Sequence, residues 1–387
     1  MYYCGIDVAK HKHTSVIIDQ DGQQQGKALN IQNERKGIEQ LEQQLAGCCG
    51  AVEIGLEATG HYWLALYDQL TRRGYPVAVL NPLQVKAYRR IDLRKRKTDP
   101  VDAYWIADFV RFAHPSATPE QVPTLMQLKE LSRFRFRLVE QIGDCKRKII
   151  TILDRVFPEY ESLFSDVFLA SSQRILQEAV TAEEFAEFDL SELAQILKQA
   201  SRGRFGLSKA EEIQTAARQS IGISFLADAV RLEMSCLLNQ IRLLEEQVEA
   251  VEAKLEELMG QLPQFITTIP GIGLVTGAML LAEIGDVQRF ETLEDLVAYA
   301  GIDPAVYQSG KFKGDQMHMS KRGSPFLRNA LWQAATAALL HNSELKAYYD
   351  KKRNEGKHHG VALGAVCRKL LARVYVVLKE QRPYVIR

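Results

Sequence analysis

Between residues 230 and 258, Val230, Met234, Leu237, Ile241, Leu244, Val248, Val251, Leu255 and Leu258 follow alternating steps of four and three. That spacing lays one apolar stripe along a long helix, and a stripe of this regularity has to be covered by another apolar surface. A second stripe, Leu128, Leu131, Leu138, Ile142, Cys145, Ile149, Ile152 and Val156, is interrupted only by Arg135. The two helices are expected to form a long antiparallel coiled coil, pairing with each other or with a second subunit, with Glu245, Glu249 and Glu252 flanking the seam. The stretch from Glu159 to Phe225 reads as short helices with a turn at Ser201-Arg202-Gly203-Arg204, and no chemistry is assigned to it.

Ahead of this helical middle the pattern changes period. Tyr3 to Val8, Thr14 to Ile18 and Ala28 to Ile31 alternate as strands around a turn at Gly22, with Asp7 placed in the middle of the first. A helix is expected over Asn33 to Leu45, then a strand over Ala51 to Leu56. Further helices are expected over Tyr62 to Arg73, Leu83 to Arg90 and Pro100 to Phe112, with a strand at Tyr75 to Leu80. Three strands and a helix, followed by strands alternating with helices, is the element order of an α/β RNase H-like domain. The expected division is 1–115 for this domain, 116–262 for the helical middle as an oligomerisation region, and 263–387 for a small α-helical domain. A net charge of +1 decides nothing about partners, but the charges are segregated. The six cysteines show neither zinc nor disulfide spacing. No apolar run has membrane-spanning length and Met1 to Lys10 is no signal peptide, so a cytoplasmic protein with no membrane partner is expected.

Lys97-Thr98-Asp99-Pro100-Val101-Asp102-Ala103 brings two carboxylates together after a run of positive charge. Asp99 reads as an N-cap with Pro100 opening the helix, which places Asp102 in the first turn on the same face. A plain acidic helix start looks the same. Asp7 and Glu57, at predicted strand positions, add two more acids; singly each reads as a surface acid or a turn residue. If Asp7, Glu57, Asp99 and Asp102 converge, they need a divalent cation, and oxygen-only ligands beside phosphate favour Mg2+. Glu53, Asp68 and Asp92 fit no such convergence. Lys86, Arg89, Arg90, Arg94, Lys95, Arg96 and Lys97 form a basic block beside the acids, read as phosphate contacts, with Tyr88 and Tyr104 available for stacking or for core packing.

In the last third, Ile269-Pro270-Gly271-Ile272-Gly273 precedes a helix over Thr276 to Ile284. Gly271 and Gly273 either let backbone amides approach a phosphate, as in a helix-hairpin-helix element, or simply connect packed helices. A turn-rich stretch then runs from Ala300 through Gln308-Ser309-Gly310. Ser309 is followed by Lys311, Lys313, Lys321, Arg322 and Arg328 with one acid, Asp315. A loop serine is the ordinary reading, and Ser320 and Ser324 compete, with Ser324 fitting the cap of a helix beginning at Pro325.

Gly5-Ile6-Asp7-Val8-Ala9-Lys10, Glu57-Ala58-Thr59-Gly60 and the stretch from Lys97 to Ala103 are joined by Pro270-Gly271-Ile272-Gly273, Gly301-Ile302-Asp303-Pro304, Gln308-Ser309-Gly310 and Lys321-Arg322-Gly323. In this order the motifs resemble the Asp-Glu-Asp-Asp (DEDD) insertion-sequence transposases, a family that includes Piv-type DNA invertases and whose insertion-sequence members use a bridge RNA. The resemblance implies a RuvC-like first domain whose four acids bind Mg2+, a coiled-coil middle, and a transposase domain whose serine, matched to Ser309, attacks DNA. It further implies double-stranded donor and target DNA, a bridge RNA and a homo-oligomer, dimer or tetramer, as partners. The region from Glu159 to Phe225 is long for the family pattern. A Piv-like invertase and a hydrolytic Holliday-junction-type nuclease, which would use the acids without Ser309, are the alternatives.

Overall fold

Strands Tyr2–Asp7 (β1), Lys12–Asp19 (β2), Leu29–Gln32 (β3), Val52–Glu57 (β4) and Val77–Leu80 (β5) form one sheet in the order β3-β2-β1-β4-β5. The first three pair antiparallel, while β4 adds to β1, and β5 to β4, in parallel. This computed structural model describes residues 1–58, 60–90, 98–118, 123–303, 308–309, 312–313 and 319–385. Two units divide the chain, Met1–Gln121 and Val122–Arg387.

In the first unit, helices Arg35–Ala46 (α1), Trp63–Arg72 (α2), Pro82–Arg89 (α3) and Asp99–Ala113 (α4) cover the sheet. Alternate residues of each strand point to opposite faces. Ile6, Ile17, Ile54 and Leu56 pack with Leu41, Leu45, Leu66 and Leu70 of α1 and α2. Tyr3, Val16, Ala78 and Leu80 pack on the other face with Ala103, Ile106, Ala107 and Val110 of α4. Asp7 ends β1 rather than standing in its middle, because Val8 leaves the ladder for the turn into β2. Helix α4 also begins one residue earlier than expected: Thr98, with extended φ −146° and ψ 150°, is the N-cap, and Asp99 is the first helical residue.

In the second unit, Pro123–Val156 (α5) is followed by Ala170–Leu176 (α6), Ala182–Glu187 (α7), Leu190–Ala200 (α8) and Leu207–Gln219 (α9), then by Ala227–Gly260 (α10). The two expected stripes face each other within a single chain, α5 lying along α10, with Leu131, Ile142 and Val248 half-buried and the other stripe residues buried. Arg135 Nε donates to Glu252 Oε1 at 2.6 Å and Cys145 Sγ lies 3.4 Å from Gln240 Oε1, which fixes the pair as antiparallel. The interruption at Arg135 is thus an ion pair across the seam. Covering of the stripe needs no second subunit.

Leu274–Ile284 (α11), Leu293–Ala300 (α12), the two-residue strands Gln308–Ser309 (β6) and Phe312–Lys313 (β7), Pro325–His341 (α13), Ser343–Asn354 (α14) and His359–Glu380 (α15) complete the chain. No helix of the described residues is long and apolar enough to cross a membrane, and all six cysteines are free thiols.

Candidate functional site

Two glycines bring the acids of the first unit toward one edge. Gly5 is in register with Gly55 on the parallel strands β1 and β4. A Cβ at Gly5 would overlap the Ala103 carbonyl oxygen and the Ala107 amide, and one at Gly55 would overlap Val110 Cγ2. Their missing side chains let α4 lie directly against the sheet. Two residues further along each strand, on the same face, come Asp7 and Glu57, side by side because Ile6 is in register with Leu56. At the far end of α4, His114 meets Glu53 at 3.3 Å and stacks edge-on with Tyr3, its ring centroid 5.7 Å away. The helix therefore runs antiparallel to β1, and its first turn, carrying Asp99 and Asp102, is directed to the strand ends that carry Asp7 and Glu57.

Both helix acids are met by cations. Arg89, from the last turn of α3, pairs with Asp102, and Lys12 Nζ lies 3.8 Å from Asp99 Oδ2. Arg89 thus has a carboxylate partner, whereas Lys86 and Arg90 are exposed. Arg94, Lys95, Arg96 and Lys97 lie outside the described residues, as does Thr59 of the glutamate motif. Tyr88 and Tyr104 serve internal packing. The Tyr88 hydroxyl donates to Asp108 Oδ2 at 2.8 Å and its ring stacks on Phe112, while Tyr104 donates to the Gly22 carbonyl at 3.2 Å. Burial, then the bond to Asp108, pushes the Tyr88 phenol up to about 12. Among the described residues, no three His, Cys, Asp or Glu side chains are grouped closely enough to hold a metal.

In the second unit the serine stretch is pinched at its base. Gly301 adopts φ +64°, and a Cβ there would come 2.6 Å from the Gly323 amide nitrogen; a Cβ at Gly323 would overlap the Tyr299 carbonyl. Backbone bonds run across this neck from Ser320 to Asp303 (2.9 Å), from Lys321 to Gly301 (3.1 Å) and from Ser324 to Tyr299 (2.9 Å). The Ser320 hydroxyl donates to the Asp303 carboxylate. Beyond the neck, Ser309 is the last residue of β6 and pairs with Phe312, and Lys313 pairs with Gln308. Pro304, Gly310, Lys311 and Asp315 lie outside the described residues. Lys321 and Arg322 are exposed, Lys321 at φ +52°. Gly271, at φ +96°, leaves room for α13, since a Cβ would come 2.5 Å from Ala338 Cα; Gly273 is the N-cap of α11 and faces open space.

Residues 4–158 match a family model described as a transposase, of the DEDD IS110 type, and residues 264–350 match one described as a transposase of the IS116/IS110/IS902 family. Together they span more than half of the chain and take in both glycine-built regions. The chain belongs to the IS110/IS116 transposase family. Transposases are enzymes that cleave and rejoin DNA. The transposase is similar along almost its whole length to the "uncharacterized 44.8 kDa protein" of insertion element IS116 from Streptomyces clavuligerus, at 26% identity over 98% of this chain and 95% of the relative. It is 23% identical to the transposase for insertion sequence element IS1111A of Coxiella burnetii, over 98% and 90% of the two chains. The pilin gene-inverting protein of Moraxella bovis is also 23% identical, over 99% and 97%.

One node of this transposase was not anticipated. Glu283 of α11 is fully buried and accepts from Arg133 Nε (2.6 Å) and Nη2 (3.0 Å), and from the Ser324 hydroxyl (2.9 Å). Ser324 in turn caps α13 by accepting from the Leu327 amide at 3.2 Å, so its hydroxyl is committed as both donor and acceptor. Burial works against the Arg133 charge, but the paired bonds to Glu283 outweigh it and hold the guanidinium above its ordinary pKa. The signal in the sequence was a lone acid in the apolar run Met279-Leu280-Leu281-Ala282-Glu283-Ile284.

Proposed function

We propose that the transposase cuts and rejoins DNA through a covalent bond between Ser309 and a 5′ phosphate, with Mg2+ held by Asp7, Glu57, Asp99 and Asp102. The observation that carries the metal half is the pair of Gly-x-acid strand ends, Asp7 beside Glu57, under a helix whose first turn bears the other two acids. Oxygen-only donors suit a hard cation. Lys12 and Arg89 already bring positive charge to Asp99 and Asp102, and in this reading they give up those carboxylates when the metal is held. When bound, the ion would stabilise charge on the phosphate and on the departing oxygen.

The serine half rests on the neck of Gly301 and Gly323, which presents the hairpin carrying Ser309, and on the commitment of Ser324 to its cap. The Ser309 oxygen bonds to phosphorus as the bond to the 3′ oxygen breaks, and the serine proton passes to solvent while the 3′ oxygen leaves as a hydroxyl. Rejoining is the reverse attack by a 3′ hydroxyl, so no bond energy is lost to water. Lys313, Lys321 and Arg322, with Lys311, would steady the charged phosphate; Lys86, Arg90 and the basic stretch from Arg94 to Lys97 would follow the DNA backbone.

An RNase H-like, RuvC-like first domain over 1–115 is supported by the three antiparallel strands followed by two parallel ones. A helical middle over 116–262, a serine-bearing domain over 263–387, a bridge RNA as guide and assembly as a homo-oligomer complete the reading, together with a cytoplasmic site of action. Site-specific inversion in place of transposition is favoured by the pilin gene-inverting relative, which aligns over nearly its full length. The test incubates end-labelled DNA, Mg2+ and transcribed RNA from the element's flanks with wild type, Ser309→Ala and Ser324→Ala. A denaturation-resistant protein–DNA adduct is expected in wild type and Ser324→Ala and not in Ser309→Ala. Cleaved ends without any adduct would instead identify a hydrolytic nuclease.

A further inference from the structure

Helix α13 carries an open groove of about 740 Å³ along one face, within the roughly 300–1,000 Å³ range in which proteins bind small ligands. Asn329, Gln333 and Leu340 follow one another along that face, joined by Arg328 and Trp332, and the exposed Lys321 also lines the groove. Most of the wall is apolar and no acid lines it among the described residues. Leu340 is 83% exposed. The Trp332 ring is backed by α15, where a Cβ at Gly364 would come 3.7 Å from it. Lys321 is presented from a left-handed backbone, φ +52°, and its amide is tied to the Gly301 carbonyl at 3.1 Å. A non-glycine residue held there costs energy unless its surroundings impose the conformation.

We propose that this groove binds an unpaired nucleotide of a DNA strand. The base stacks on Trp332, the carboxamides of Asn329 and Gln333 meet its hydrogen-bonding edge, and Lys321 and Arg328 meet the flanking phosphates. Each part of the wall has a matching part in that ligand: an aromatic surface for a base face, groups that both donate and accept, and positive charge with no competing acid among the described residues. A paired base inside a duplex offers no face to a recessed ring, so single-stranded DNA is the occupant. Gln333 Nε2 donates to Asn329 Oδ1 at 2.9 Å and Arg328 Nη1 to the Ala300 carbonyl at 3.3 Å, which leaves each of these groups further donors or acceptors, and an apolar protein segment would cover those and Lys321 without replacing their water. The inference rests on the family's action on DNA and is independent of Ser309.

The probe is a short fluorescein-labelled oligodeoxynucleotide, added without Mg2+ to the full-length protein, with anisotropy read alongside intrinsic tryptophan emission. Trp332→Phe keeps an aromatic platform, so it should bind within about threefold of wild type yet lose most of the quenching; the contrast isolates one of the three tryptophans. Trp332→Ala and the double change Asn329→Ala with Gln333→Ala should weaken binding about tenfold or more. A blunt duplex of the same sequence should compete at least about tenfold less well. Should Trp332→Ala melt early by circular dichroism, Ala337→Trp, which fills the groove from its rim, takes its place and should abolish binding. Quenching that survives in Trp332→Phe, equal competition by duplex, or undiminished binding by the double and filled variants would overturn the proposal. Tighter binding of the matching oligoribonucleotide would overturn the assignment to DNA. None of these readouts involves strand cleavage, so they fail or succeed separately from the adduct assay.

Discussion

The helix that carries acids in the first unit and the helix that follows the serine hairpin in the second are anchored by opposite means. Helix α4 is seated by absence: Gly5 and Gly55 remove the side chains that would hold it off the sheet, and its contacts there are apolar. The start of α13 is seated by a buried charge, Glu283, which takes two bonds from Arg133 and one from the Ser324 cap. A steric seat adds no charge of its own beside the acids, whose cations Lys12 and Arg89 come from other elements. A charged seat consumes its carboxylate, which suits a region where the proposed chemistry falls to a hydroxyl.

The largest expected effect breaks the charged seat. Arg133→Ala strands Glu283 without its cation, and loss of one partner of a buried pair costs about 3–5 kcal/mol. Chemical denaturation followed by Trp332 emission should show the second unit unfolding early. The change should leave the transition seen by Trp63 and Trp105 in place, and a shift in that transition instead would contradict the separation of the two seats.

Next comes the steric seat. Gly5→Ala places a methyl group against the backbone of α4, which cannot rotate away, and should cost about 1–3 kcal/mol or more. Gly273→Ala, at φ −81° with open space around it, is the matched control and should change stability little. Equal melting of the two variants would show that α4 is not in close contact with β1.

Smaller again is Ser324→Ala, which removes the cap of α13 and one of three bonds to Glu283, for about 0.5–2 kcal/mol. Ser324→Thr keeps the hydroxyl and should recover most of that loss. If Ala and Thr behave alike, the cap contributes nothing.

The smallest effect is pH-dependent and confined to the first unit. His13, buried in β2, has its pKa lowered chiefly by burial, with the Asn33 side chain opposing in part. The unfolded chain takes up a proton near pH 6.5, at about its ordinary value, while the fold resists until the lower folded value is reached. Stability from this residue is complete well above pH 6.5 and is lost as pH falls from about that value to the lower folded one. Denaturation at a series of pH values from neutral to mildly acid should show the decline in wild type and a flatter profile in His13→Gln.

Much of this was legible in residue spacing, because strands and paired helices announce themselves by period. The order of strands, both apolar stripes and the Ser324 cap follow from patterns local to each segment. The antiparallel sense of the pair was sharpened by Arg135, whose break in one stripe is answered by Glu252 in the other. The repeated Gly-x-acid of Gly5 to Asp7 and Gly55 to Glu57 was present in the sequence, yet its meaning depends on two strands lying in register, which one segment alone does not reveal. Glu283 was harder still: its partner Arg133 stands 150 residues earlier, and only the folded chain brings the two together. For Tyr88 and Tyr104 the sequence left stacking and core packing open for the same reason, since a ring beside basic residues looks alike whether it faces solvent or its own helix; the fold selects core packing.

The self-covered pair of α5 and α10 acts as a ruler. Each helix has 34 residues, so at about 1.5 Å per residue the pair measures roughly 50 Å from the turn at Val156 to the junction with α11. Helices α6 to α9 sit at the outer tip of that span and the glycine neck of the serine hairpin at its root. Because the seam repeats every seven residues, its length is quantised: removing one matched heptad from both helices keeps every knob in a hole and draws the tip inward by about 10 Å. Whatever the tip touches is therefore addressed by distance, in steps of one heptad, about 10 Å each.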